Sequence, residues 1–177
     1  AQGASTPAQG ALKEQRKVVI SITRADVGLE DQAIKYDVFN SVKNGKKMRI
    51  GYIKFPSFYM DYSGDENDPK SKRSSRDFLA ALLNLKKQGV DGIVVDLRGN
   101  PGGALPEAVK TAGYLIKSGS VLQVKSSEEV VSFDDDDPEI RYNGPVVVLI
   151  DKLSASASEI FAGAIRDYKR GLIIGST

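Results

Sequence analysis

The sequence contains no histidine, no cysteine and no tryptophan. The missing histidine removes the usual general base near neutral pH, and with it the commonest zinc ligand. A hydrolytic serine here must therefore be served by a lysine or a carboxylate. With neither imidazole nor thiolate available, soft-metal centres and cofactors held by them are excluded, and only oxygen-ligated ions such as calcium stay open. The missing cysteine fits a reducing or an oxidising compartment alike. No apolar run approaches the roughly eighteen residues of a membrane span, so no transmembrane segment is expected, and no signal peptide opens the chain. Charge of one sign is lacking too. The formal net charge is +2, with lysine and arginine interleaved among the acids, which argues against a nucleic-acid partner.

The remaining composition is ordinary for a globular protein: 41% apolar and 27% charged residues in 177. That length holds one domain with a sizeable core and a remnant of a neighbour. Residues 1–16, which open with the small and polar AQGASTPAQGAL, predict a flexible tail or linker. Within 17–25, KVVISIT reads as a strand. A charged stretch up to Lys35 separates it from the next strand, so it suggests the last strand of a preceding domain.

Residues 26–177 hold the main domain. The alternation of Met48, Ile50, Tyr52, Ile53 and Phe55 predicts a strand ended by Pro56, and residues 61–73 a long polar loop. Ser75 is placed to cap a helix whose apolar residues Phe78, Leu79, Leu82, Leu83 and Leu85 recur at helical spacing, with Gly89 as its stop. GIVVDL (92–97) and PVVVLI (145–150) read as strands buried on both faces of a parallel sheet. Helices are expected over 106–116 and 157–168, and strands over 121–124 and 172–174. Strands alternating with helices imply an α/β core with a partly parallel sheet, and in such sheets sites gather at the carboxyl ends of strands.

Two motifs fall there. RGNPGG (98–103) can turn tightly and leave N–H groups pointing outward at a helix start, which suits an oxyanion or simply a tight turn. SASASE (154–159) stands at the mouth of the helix bearing Ala157, Ile160, Phe161, Ala164 and Ile165 on one face. Ser156 with Glu159 fits the capping box S-x-x-E, and Ser156 flanked by small residues also fits a nucleophile, with the following N–H open to a tetrahedral oxyanion. The acidic run at 134–137 lacks the alternation of a calcium loop and reads as solvated. Lys152 and Lys169 adjoin charged residues, whereas a catalytic lysine is held neutral by burial.

VVDLRGNPGG (94–103) taken together with PVVVLIDKLSASASEIFAGAIRDYKRGLIIG (145–175) resembles the tail-specific, or C-terminal-processing, serine peptidases. The similarity runs from about residue 17 onward. It implies a ClpP/crotonase-like α/β core with a mixed sheet and flanking helices, with residues 17–25 as the closing strand of a PDZ domain and 26–177 as an incomplete peptidase core. It implies Ser156 as nucleophile, an oxyanion hole made by the N–H groups of Gly103 and Ala157, and a supporting role for Asp167. The family's general base is a lysine in a Phe-Gly-Lys-Gly motif after the strand that begins at Gly171. On this resemblance that lysine lies beyond Thr177, and the chain by itself is expected to be inactive or nearly so. The family further implies periplasmic residence, protein substrates with unstructured apolar C-terminal tails, and an adaptor lipoprotein as partner. The competing readings are a peptide-binding or scaffolding module on the same fold, and a crotonase-type acyl-CoA enzyme using the same paired N–H groups.

Overall fold

A computed structural model describes residues 33–62, 68 and 71–175, so the expected tail, the strand in 17–25 and its PDZ assignment lie outside the described residues. The described chain opens with a hairpin. Asn44 and Gly45 have φ of 51° and 76°, the left-handed pair that a two-residue turn needs, and they join β1 (Lys35–Lys43) to β2 (Lys46–Lys54) antiparallel. The expectations from sequence contain no β1. Its side chains are mostly exposed on both faces, so no period-two pattern marks it. The Asn-Gly pair is the signal that does.

Next come α1 (Ser74–Lys87), β3 (Gly92–Asp96), α2 (Leu105–Gly113), β4 (Gly119–Lys125), β5 (Val130–Asp135), β6 (Val146–Ile150), α3 (Ala157–Asp167) and β7 (Leu172–Gly175). Two expectations need correction. Ser75 is not a cap; Arg73 holds that position, and Ser75 N–H donates to the buried Glu107 carboxylate at 2.7 Å. A side chain from α2 thus satisfies an orphan donor of α1. The acidic run begins inside β5, because Asp134 pairs across the hairpin with Ser120.

The main sheet has the order β1-β2-β3-β6-β7. β1 and β2 are antiparallel, and every other pairing is parallel, so the sheet is mixed as expected. Alternate residues Ile53, Ile93, Val95, Val146 and Val148 are buried against the helices, where they meet Phe78, Leu82, Leu85, Ala108, Ala112, Phe161 and Ile165. Phe55, Phe58, Phe78 and Phe161 form an aromatic cluster with centroids 4.4 to 6.3 Å apart. Each buried ring contributes about 2 kcal/mol or more through area removed from water. The cluster also fixes Phe58, which the site depends on. Among the described residues no helix is long and apolar enough to cross a membrane.

Candidate active site

Parallel neighbours β3 and β6 deliver their carboxyl ends side by side, so the turn after each meets the other. Asn100, fully buried, holds them together. Its side-chain amide donates to Phe55 O at 2.7 Å, its Oδ1 accepts from Gly102 N–H at 2.8 Å, and its carbonyl accepts from Ala155 N–H at 3.1 Å and Ser158 Oγ at 3.0 Å. Asp151 adds a second tie by accepting from Gly99 N–H at 3.0 Å. Ser154 Oγ adds a third, donating to Leu97 O at 2.8 Å. The N–H bonds to Asp151 hold its carboxyl below the ordinary range. Sequence alone singles out neither Asn100 nor Asp151, since an Asn beside Gly reads only as a turn.

The three serines of the motif therefore separate. Ser154 and Ser158 point into the joint between the turns, while Ser156 is exposed at the mouth of α3. Its backbone has φ 54° and ψ −116°, a region populated almost only by glycine. Glu159 returns to Ser156 N–H at 2.7 Å, so the expected capping interaction is present. A cap does not need this backbone, however, since helix caps ordinarily sit in the extended region without strain. Strain of this kind costs about 1–3 kcal/mol and is characteristic of strand-to-helix turns that expose a nucleophile.

Gly102 and Gly103 form the opposite wall. A Cβ on Gly102 would stand 2.7 Å from Ala155 O and 2.8 Å from Ser156 Cβ, so the glycine turn touches the serine turn as only glycine can. Phe58 brackets Gly103: its N–H donates to Gly102 O at 2.9 Å and its carbonyl accepts from Ala104 N–H at 2.7 Å. In such a parallel bridge the N–H of Gly103 faces away from Phe58. Among the described residues neither Gly103 N–H nor Ala157 N–H has a protein acceptor. Ala157 is buried and opens α3, so its N–H is one of the donors that a helix start leaves without an intrahelical partner.

At the foot of the glycine turn, Asp96 is 1% exposed and takes both Nε and Nη2 of Arg98 at 2.9 Å, the Tyr52 hydroxyl at 2.5 Å and Lys54 Nζ at 3.3 Å. Burial works to raise its carboxyl, but the bonds from Arg98 and Tyr52 outweigh burial and hold it well below the usual carboxylate range. A depressed folded value gives stability that is fully present above the ordinary value of 3.8 and is lost as pH falls through the folded one. Replacing Arg98 with Met should lower the melting temperature at neutral pH, with the gap to wild type narrowing below about pH 4. A gap unchanged between pH 7 and pH 3 would show that the ion pair contributes nothing.

The structure brings Ser156, Gly103 and Ala157 together and leaves Asp167 out. Asp167 ends α3, eleven residues from Ser156 and so about 16 Å along the helix axis, where it is exposed and paired with its neighbour Arg166 at 2.9 Å. Lys152 and Lys169 are exposed, and Lys54 is engaged by Asp96 and by Arg98 O at 2.8 Å.

Fold and turn define a class: α/β proteins whose parallel strands present a strained serine at a helix mouth beside a glycine turn. The chain belongs to peptidase family S41, whose sequence model matches residues 49–177. It is 40% identical over 158 residues to the tail-specific protease of Haemophilus influenzae, covering 89% of this chain and 20% of that one. It is 33% identical over 169 residues to a probable CtpA-like serine protease of Staphylococcus aureus, covering 93% of this chain and 32% of the other. Among solved structures, the photosystem II D1 C-terminal processing protease superimposes with a TM-score of 0.65 at 31% identity, over 79% of this chain and 35% of that one. The chain thus spans a fifth to a third of the length of these curated relatives.

Proposed function

We propose that this chain is the core of a serine endopeptidase that processes or degrades proteins bearing unstructured apolar C-terminal tails. The observation that carries the proposal is the glycine-like backbone of Ser156, which capping does not explain. Ser156 Oγ attacks the scissile carbonyl, and the oxyanion falls between the N–H groups of Gly103 and Ala157. Water then resolves the acyl-enzyme. The proton of Ser156 goes to a neutral lysine from beyond residue 177, which makes the pair a Ser-Lys dyad and accounts for a site without histidine. In this reading residues 26–177 are an incomplete core and 17–25 close a preceding PDZ domain that captures tails as an added strand. Asp167 supports α3 rather than the chemistry, residence is periplasmic, and an adaptor lipoprotein is a candidate partner.

The test uses the full-length protein with two unfolded reporters that differ only in their last residues, apolar in one and charged in the other. Cleavage of the first at least about tenfold faster than the second is expected. Binding of the apolar reporter with no cleavage would replace the peptidase by a peptide-binding module.

A further inference from the structure

α2 begins two residues after Gly103, so its first turn lies at the Ser156 end of the sheet. Beside it runs the β4-β5 hairpin. At the far end of α2 the two are in close contact, the Asp135 carboxylate lying 2.5 Å from where a Cβ on Gly113 would stand. Toward the first turn they part, leaving a cleft of about 480 Å³ lined by Pro106, Val109 and Lys110 on the helix and by residues 132–135 of the strand, of which Phe133 is the apolar one. Leu122 is opposite Phe133, and Val124 is opposite Val131. Cross-strand partners and alternate residues share a face, so these four form one apolar face, and Phe133 turns it toward the cleft. The other face carries Gln123, Ser132, Lys125 and Val130. Val131 and Val124, the cross-strand pair one step beyond Phe133 and Leu122 toward the hairpin tip, are 41% and 48% exposed. The apolar wall therefore continues from the cleft toward the level of the start of α2, the end of the helix that follows Gly103.

We infer that this cleft and strip receive an extended apolar stretch of the protein substrate next to the scissile bond, a subsite separate from any that holds the C-terminal tail. The inference rests on the Ser156 reading above. An extended segment along β5 can pair with the edge of the strand that is unpaired among the described residues, while every second side chain enters the apolar wall, so that backbone bonds give affinity and the cleft gives selectivity. A volume of this size suits one or two apolar side chains.

The experiment compares full-length wild type with Val131→Glu on internally quenched peptides that share one apolar C-terminal tail and carry either apolar residues or lysines around the cut. Val131 is exposed, so folding should be retained; Val124→Glu is the parallel variant. The expected result is a fall in kcat/KM of about tenfold or more on the apolar peptide, mostly through KM, with a gain on the lysine peptide. Equal kinetics in wild type and both variants, with cleavage still dependent on Ser156, would overturn the subsite while leaving the peptidase intact. A melting temperature lowered by more than about 3 °C in both variants would also overturn it, because the strip would then be buried elsewhere in the full chain. Absence of Ser156-dependent cleavage in the wild type would remove the peptidase reading and the subsite with it.

Discussion

Full-length protein carrying Ser156→Ala is expected to lose peptidase activity by about four orders of magnitude or more, because removing the nucleophile of a concerted site removes nearly all of its catalysis. Ser156→Gly should be as inactive, yet the two variants should differ in stability. Alanine inherits φ 54° and ψ −116° with its Cβ, so it keeps the strain and also loses the cap. Glycine loses the cap at a cost of only a few tenths of a kcal/mol and relieves strain of about 1–3 kcal/mol. The strain relief wins, and urea denaturation should find Ser156→Gly more stable than wild type by about 1 kcal/mol and Ser156→Ala less stable. If Ser156 were only a cap, both variants would cleave at the wild-type rate, and a glycine variant no more stable than wild type would mean that this backbone is not strained.

The parts of this molecule that sequence makes legible are those where one pattern has one physical cause. GIVVDL and PVVVLI read as doubly buried strands, and they are the adjacent parallel strands β3 and β6, although each is fully buried on one face only, with Val94 and Val147 half-buried on the other. The face carrying Phe161 and Ile165 locates α3 to within a residue at its end. β1 is hidden because its exposed side chains carry no period, and β5 because cross-strand pairing of Asp134 and Asp135 overrides the low strand propensity of aspartate. At the site, SASAS does not say which serine is set apart. That distinction lies in Leu97 O and Asn100 O, two acceptors more than fifty residues away, which take Ser154 and Ser158 and leave Ser156 at the surface. The bracket that Phe58 places around Gly103 is likewise a long-range contact, without local signature. Asp167 shows the reverse limit: a position inferred from likeness to a family stands at the opposite end of the helix from Ser156.

Gly103→Ala should lower kcat of the full-length protein about a hundred- to a thousandfold while leaving KM within about threefold, the signature of a lost oxyanion donor. At φ 142° a side chain is already strained, and its Cβ would stand 2.2 Å from Phe58 O and 2.8 Å from Phe58 C. Phe58 cannot yield easily. Its N–H and carbonyl are both bonded to the turn, and its ring is wedged between Phe55 and Phe161 at 4.4 and 6.3 Å. The glycine turn must therefore move instead, and displacement of the Gly103 amide by as little as about 1 Å takes it out of reach of the oxyanion. Gly99→Ala is the matched control, because its φ of 74° carries a comparable backbone strain but its Cβ meets nothing within 4 Å. The control should lose about 1 kcal/mol of stability and little activity. Equal activity of Gly103→Ala and Gly99→Ala would mean that the Gly103 N–H does not hold the oxyanion, and would assign that charge to the Ala157 amide at the head of α3.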